Sequence, residues 1–462
     1  MCAQKIVKNG LRSLNHMKIS VFGTGYVGLA TGVCFADMGY SVMSLDVEPE
    51  KVEKLNQGIP TIFEPGLEDI LKRNLAAQRI SFTTDYKMAV ESSDVLFIAV
   101  GTPSGDDGSA NLDYVVSAAN SIGQFMNSKK VILTKSTVPV GTNYLIRDTI
   151  RAALKKKGSS LEFDMVSNPE FLREGSAIHD CLHPDRIVIG FENESAAKVV
   201  RRLYDPFIKN GAKMIEMDIP SAEVTKYAAN AFLATKISIM NEFSRLCDKV
   251  GANIENVRVG LSADHRIGPH FIYAGVGYGG SCFPKDVKAL IYTGQKYDED
   301  LKILNAVEQT NFIQRERFVN EVFKRVGQSG KGKKIAVWGV AFKPGTDDIR
   351  ESPSLYAIEK FLASGFSVSA YDPVAAENAK IHLGARSDLS FVAHQDEALS
   401  GADALCIFTE WKSFLQPDFA KLKKSMKYSL IFDGRNIYDL EVMRESGFEY
   451  HSIGRPLVGV QK

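Results

Sequence analysis

The sequence predicts an α/β protein with two doubly wound parallel sheets, joined by a long central helix and a small helical domain. Three observations predict it. Residues 17–22 read as a strand, run into a glycine-rich turn and an apolar helix, and lead to a second strand that closes on Asp46. Residues 95–100 are continuously apolar rather than alternating, and 131–134 repeat the design up to Thr134, as in parallel strands buried on both faces. The same order of segments then restarts at Lys333.

The bulk properties bound the answer. The chain has 462 residues, 45% apolar and 24% charged, a composition of ordinary globular proteins with room for about three domains. A net charge of +1 gives no electrostatic case for nucleic acid or an acidic membrane surface. The six cysteines, at 2, 34, 181, 247, 282 and 406, are scattered. They form neither a disulfide framework nor a metal-ligand pattern, so no metal is expected, and they point to a reducing, cytoplasmic compartment. No apolar run approaches a membrane span. Residues 1–16 carry Lys5, Lys8 and Arg12 without an apolar stretch and read as a polar N-terminal extension, not a secretory signal.

The first strand leads into Gly23-Thr24-Gly25-Tyr26-Val27-Gly28. This is G-x-G-x-x-G with a strand before it, a helix after it and an acid, Asp46, about 20 residues on. The first glycine makes the turn, the second admits a pyrophosphate, and the third lets helix and strand pack. Phosphates would lie at the helix N-terminus. A Rossmann-like dinucleotide domain is therefore expected over residues 17–215. Asp46 would accept hydrogen bonds from ribose hydroxyls and repel a 2′-phosphate, which favours NAD over NADP; Lys51 nearby opposes that choice. The plain alternative is a glycine turn with a solvated Asp.

The next strands end on the edge where open α/β sheets bind ligands. Gly101-Thr102-Pro103 follows one, and Lys135-Ser136-Thr137 follows the next. The Ser136 and Thr137 hydroxyls are either ligand contacts or an N-cap of the following helix. A short strand at 165–166 runs into Asn168-Pro169-Glu170-Phe171-Leu172-Arg173-Glu174-Gly175, whose two carboxylates are acid/base or ribose-binding candidates, or a solvated turn.

From 221 to 250 the pattern is helical, and a helical domain over 216–328 is expected. Lys226 and Asn230 share one face, one turn apart. Among Ala and Phe neighbours a buried lysine is costly unless it meets an anion or takes part in chemistry; the alternative is a snorkelling lysine at a helix edge. Arg266 lies in a loop. Arg315 and Arg317 read as a solvated helix face. Within the domain, Gly279-Gly280-Ser281-Cys282-Phe283-Pro284-Lys285-Asp286 places a thiol, an amine and a carboxylate together, with a helix-like run over 284–291 behind them. A thiol at a helix mouth is biased toward the reactive thiolate. A structural cysteine in a turn would need neither Lys285 nor Asp286.

The restart aligns residues 334–339 with 18–23, 364–372 with 38–46, and 401–408 with 93–98, predicting a second doubly wound domain over 329–462. Its first turn, Gly339-Val340-Ala341-Phe342-Lys343-Pro344-Gly345, is bulky where glycines would be. It suits a mononucleotide better than a dinucleotide, with Lys343, Arg350 and Arg435 as cations for phosphates. A hydride acceptor together with a thiol suggests oxidation of an alcohol to an aldehyde, capture of the aldehyde as a thiohemiacetal, and a second oxidation to a thioester that water cleaves.

The motifs Gly23–Gly28, Asn168–Gly175, Gly277–Asp286 and Phe342-Lys343-Pro344 resemble the UDP-glucose 6-dehydrogenase family, over nearly the whole chain from Met17 to about Arg435. The resemblance implies four-electron oxidation of UDP-glucose to UDP-glucuronate with two NAD per turnover. It implies two Rossmann-like domains and a small helical dimerisation domain. Cys282 resembles the nucleophile, Asp286 and Thr137 the pair ordering the hydrolytic water, and Lys226, Asn230 and Glu170 the acid/base and oxyanion group. Gly23, Gly25, Tyr26, Val27, Gly28, Asp46, Lys51, Thr102, Ser136, Thr137, Glu174, Lys285 and Arg350 fall on the cofactor side. Glu170, Phe171, Leu172, Arg173, Glu174, Lys226, Asn230, Tyr273, Gly275, Gly279, Phe342, Lys343 and Arg435 fall on the substrate side. Arg266 resembles a residue that reaches the substrate of a neighbouring subunit, implying a homodimer. Thr24, where the family often has Ala, and the N-terminal extension depart from the pattern. The competing readings are a sister enzyme acting on GDP-mannose or a UDP-N-acetylhexosamine, a two-electron hydroxyacid dehydrogenase, and a non-catalytic NAD or nucleotide sensor.

Overall fold

The computed structural model describes residues 17–459, and the expected N-terminal extension lies outside them. The chain divides into two compact units, residues 1–228 and 229–462.

The first unit is an eight-stranded sheet in the order β3-β2-β1-β4-β5-β6-β7-β8. Its strands are β1 (Lys18–Phe22), β2 (Ser41–Leu45), β3 (Ile80–Thr83), β4 (Val95–Ile98), β5 (Lys130–Thr134), β6 (Phe163–Ser167), β7 (Arg186–Phe191) and β8 (Lys213–Met217). All neighbours run parallel except β6 and β7, which pair antiparallel. The chain reverses its direction of winding between β1 and β4, so the carboxyl ends of these two strands flank the crevice where ligands bind such sheets. Strands β4 and β5 are buried at every position, which is why they carry no polar alternation. Helices cover both sheet faces: Tyr26–Asp37 packs over Ile19, Val21 and Phe97, while Asp113–Phe125 packs over Phe22, Leu96 and Ile132.

The second unit holds a six-stranded, all-parallel sheet in the order β11-β10-β9-β12-β13-β14. Its strands are β9 (Lys334–Trp338), β10 (Ser367–Tyr371), β11 (Leu389–Phe391), β12 (Ala404–Ile407), β13 (Leu430–Asp433) and β14 (Glu449–Ser452). Its core centres on Trp338, which is fully buried and stacks on Phe414; such a side chain contributes about 3 kcal/mol through burial. The helices Ile254–Ser262, Phe283–Lys296 and Lys302–Val326 belong to this unit.

One continuous helix, Ile219–Val250, carries the chain from the first unit into the second. No helix among the described residues is long and apolar enough to cross a membrane.

Candidate functional site

In the first unit, β1 ends in the predicted turn. Gly23 has φ +100°, and a Cβ there would lie 2.6 Å from Ala99 O. A Cβ at Gly28 would lie 2.0 Å from Gly23 O, so helix and turn close on each other only without one. Gly25 is different: among the described residues a Cβ there would meet nothing within 4 Å. It is also the N-cap of Tyr26–Asp37 and brings no side chain to the first-turn N–H groups. Open space in front of the first turn of a helix fits the pyrophosphate of NAD.

Asp46 stands at the end of β2. Its Oδ2 accepts from the Thr24 amide at 3.0 Å and from the Thr24 hydroxyl, and its Oδ1 accepts from the Glu48 amide at 3.2 Å. Thr24 thus joins the acid to the turn. Burial raises the Asp46 carboxyl, but Thr24, the Glu48 amide and Lys51 outweigh it and hold it below its ordinary value. Lys51 sits 3.7 Å from Asp46 and 3.0 Å from Glu48. Its charge is already shared by two carboxylates, which weakens it as a 2′-phosphate partner.

At the β4 and β5 ends, Thr102 Oγ1 donates to Thr137 O at 2.9 Å and Ser136 Oγ to Val100 O at 2.7 Å. These hydroxyls stitch the two turns together. The N-cap alternative for Ser136 and Thr137 fails, because the following helix starts at Thr142 with Gly141 as its N-cap.

After β6, Glu170 meets Lys226 at 3.0 Å, both nearly fully buried, and its other oxygen accepts from the Leu172 amide at 2.6 Å. Lys226 is 3% exposed, so it is not a snorkelling lysine at a helix edge. Its ammonium also faces the Phe171 ring, which Arg186 covers from 3.8 Å. Arg173 is turned onto Asp180 through a two-point pair. Glu174 is half-buried in the same turn.

Three first-unit residues of consequence gave no sequence signal. Glu64 accepts from the Gly175 and Ala177 amides and so fixes the turn after Glu174. Glu223, one turn before Lys226, accepts from the Gly141 and Asn143 amides and anchors the long helix under the β5 end. Lys135 is buried with its Nζ 3.4 Å from Asn168 Oδ1, and burial pushes its ammonium below the usual lysine range.

In the second unit, the helix behind the thiol is longer than the sequence pattern: it runs Phe283–Lys296, with Cys282 as its N-cap. Cys282 is half-exposed, 3.5 Å from Ser281 Oγ. Asp286, 1% exposed, accepts from Asn230 Nδ2 at 2.6 Å and from Lys285 Nζ at 2.6 Å. A carboxylate gripped by an amide and an ammonium stays aimed, and it lies one helical turn behind the thiol.

The β9 turn carries Phe342 and Lys343, whose ammonium lies over the Phe342 ring at 5.3 Å. Arg435, after β13, donates to Phe408 O at 2.6 Å and Phe342 O at 2.8 Å and lies 3.3 Å from Glu410. Its Nε thus holds the chain just after β12 and its Nη2 holds the β9 turn, while Nη1 is the nitrogen beside Gly275. Arg350 forms a two-point pair with Asp348. Tyr273 is exposed beneath Arg258, and Arg266 is held on Asp264 in an exposed turn. Arg315 corrects the sequence reading. It is not part of a solvated face: its side chain is 12% exposed and donates to Tyr278 O at 2.8 Å and Glu351 at 3.1 Å. Arg317 is likewise paired, with Asp248 at 2.6 Å.

Two doubly wound units, one with a turn shaped for a dinucleotide and one without, define a dinucleotide-dependent oxidoreductase with a second nucleotide-type domain. The comparisons with known proteins narrow the class. The chain matches the UDP-glucose/GDP-mannose dehydrogenase family in its NAD binding domain over residues 17–208, its central domain over 220–312 and its UDP binding domain over 336–440. It is 46% identical over 446 residues to a UDP-glucose 6-dehydrogenase of Pseudomonas aeruginosa, covering 96% of this chain and 98% of that one. A UDP-glucose dehydrogenase of Pyrobaculum islandicum superposes with a TM-score of 0.88 at 37% identity, covering 96% of this chain and 99% of that one. A UDP-D-ManNAc dehydrogenase of Pyrococcus horikoshii superposes at 0.83 with 28% identity, covering 95% and 99%. The chain belongs to the UDP-glucose/GDP-mannose dehydrogenase family.

Proposed function

We propose that the protein oxidises UDP-glucose to UDP-glucuronate, using two NAD per turnover. The observation that carries the reading is the Cys282–Lys285–Asp286 cluster at the mouth of Phe283–Lys296, in a chain that has both an NAD and a UDP binding domain. NAD, when bound, takes up the hydride of each oxidation. The C6 alcohol becomes an aldehyde, and Cys282 Sγ adds to its carbonyl carbon to give a thiohemiacetal. Oxidation of that adduct leaves a thioester, and water cleaves it to the carboxylate and the free thiol.

The side chains take roles that follow from their surroundings. Lys226, charged against Glu170, and Asn230, held on Asp286, supply N–H groups to oxygens that gain negative charge. Asp286 and Thr137 order the water. Asp46 selects NAD, and Glu174, Lys285 and Arg350 address the cofactor side. Phe171 to Arg173, the 273–279 loop, Phe342, Lys343 and Arg435 address the UDP-sugar. Identity to the UDP-glucose enzymes exceeds that to the N-acetylmannosamine enzyme, which favours glucose.

The working form is a cytoplasmic homodimer. Phe232, Ile239, Phe243, Leu246 and Val250 repeat along one stripe of the long helix and are exposed, Phe232 to 68%. An apolar seam at that spacing suits a second copy of the same helix, and Arg266 would then reach across to the partner. Initial rates with UDP-glucose, GDP-mannose and UDP-N-acetylmannosamine test the substrate assignment. UDP-glucose should lead by at least tenfold in kcat/KM; either rival matching it refutes the assignment.

A further inference from the structure

The loop that delivers Cys282 is rich in glycine: Gly275, Gly277, Gly279 and Gly280 precede the thiol, with the buried side chains of Val276 and Tyr278 between them. Such a backbone is costly to order, and polar groups outside it add to the hold of those two side chains. They come from three places. The Gly275 amide donates to Asn241 Oδ1 at 2.8 Å, and Gly275 O accepts from Gln314 Nε2 at 2.9 Å. Asn311 takes both the Tyr278 amide, at 2.9 Å, and the Tyr278 carbonyl, at 3.1 Å. The last two residues before the serine lean on the Arg350–Ser352 turn. The Gly280 amide donates to Arg350 O at 2.8 Å, and a Cβ on Gly279 would lie 2.4 Å from Glu351 O.

Arg315 differs from Asn311 and Gln314 in what its second arm does. One nitrogen holds Tyr278 O in the thiol loop; the other holds the Glu351 carboxylate in the turn that supports it. Glu351 sits at φ +51°, a left-handed backbone that a glutamate adopts only when its surroundings hold it there. Lys288, on the helix that Cys282 caps, donates to the same carboxylate at 3.1 Å and lies 3.7 Å from Glu308. Burial raises the Glu351 carboxyl, but Lys288 and Arg315 outweigh it and keep it below the ordinary glutamate range. Thiol helix, thiol loop and supporting turn thus meet at one carboxylate.

We propose that Arg315 and Glu351 are positioning residues for Cys282, a latch that sets where the thiol stands when the aldehyde forms. This rests on the oxidation proposed above. That reaction has two stages, and only the second needs the thiol. A displaced thiol therefore leaves the first oxidation running and lets free aldehyde escape. General loss of fold slows both stages together and does not change this partition.

The test compares Arg315→Met, Arg315→Lys and Glu351→Gln with the wild type. Free aldehyde is read as deuterium at C6 of UDP-glucose after a borodeuteride quench, beside NADH yield and KM for UDP-glucose. Arg315→Met should slow acid formation at least tenfold, release most of its product as aldehyde and leave KM within threefold. Glu351→Gln should leak less, and Arg315→Lys, which keeps the cation, least. Should Arg315→Met not fold, Glu351→Gln decides. Two NADH per sugar without trapped aldehyde in the folded variants overturns the latch. Alkylation of Cys282 by iodoacetamide, followed on its own peptide, needs no substrate. It should change at least fivefold in Glu351→Gln, and an unchanged rate also overturns the latch. A wild type that makes no NADH from UDP-glucose fails the oxidation instead, and the alkylation arm still judges the latch.

Discussion

The two doubly wound units begin with the same hydrogen bonds and then part. The amide after β1 bonds across to the end of β2, Gly23 to Leu45 O at 2.8 Å; the amide after β9 does the same, Gly339 to Tyr371 O at 2.8 Å. Ala99 to Phe22 O and Phe408 to Trp338 O, both at 2.9 Å, repeat the match on the other side. Each second strand is followed by an aspartate aimed back at the turn, Asp46 and Asp372. The difference lies in what the turn leaves open. Gly25 faces free space and Gly28 lets the helix close. At the corresponding places the second unit has Ala341 and Pro344. Asp372 there is already taken by the Val340, Ala341, Val374 and Ala375 amides and by the Trp411 indole at 3.1 Å. An acid so fully engaged has no oxygen left for a ribose. The scaffold is shared, and the chemistry of the first turn decides which nucleotide each unit accepts.

The largest effect should come from the element that neither sheet supplies. Cys282→Ser should lower steady-state turnover by roughly a thousandfold, since an alcohol is a poor nucleophile without a strong base, and should accumulate an ester seen by intact-protein mass spectrometry. Normal turnover without an adduct would return Cys282 to a structural part. Next comes the turn itself. Gly25→Val fills the open space and should raise KM for NAD by roughly tenfold or more, while UDP-glucose affinity measured without cofactor stays unchanged. A fall in both would mean that the two turns are not independent.

Asp46→Ala should narrow the preference for NAD over NADP by about tenfold, as a carboxylate beside a phosphate is removed. Because Thr24, the Glu48 amide and Lys51 hold the Asp46 carboxyl below its ordinary value, this selectivity persists down past that ordinary value and is lost only as pH falls through the lowered one. Competition between NAD and NADP over an acid pH series measures this. The smallest effect sharpens the comparison most. Ala341→Gly should not create a second NAD site, because Asp372 and Trp411 keep the turn occupied; two NAD bound per chain in equilibrium dialysis would refute that.

The sheets were legible in the sequence because their signals are local. Buried parallel strands read as unbroken apolar runs, and the strand–turn–helix around Gly23 to Gly28 lies within a few residues. The restart at Lys333 was legible as repetition. The thiol, Lys285 and Asp286 were legible because they are adjacent. What was not legible depends on partners far along the chain. Glu64 binds amides 111 and 113 residues away, Glu223 binds Asn143 across 80, and Arg315 binds Tyr278 across 37. Nothing in an arginine on a helix tells whether its face meets water or a glycine loop, so Arg315 read as solvated. The saturation of Asp372 by Trp411 was hidden for the same reason, although the bulky turn itself already spoke against a dinucleotide.

A four-electron oxidation is read from the total NADH released per limiting UDP-glucose, followed at 340 nm to completion. Two NADH per sugar should appear, with UDP-glucuronate as the product. One NADH per sugar would make the protein a simple alcohol dehydrogenase and would contradict the covalent role of Cys282.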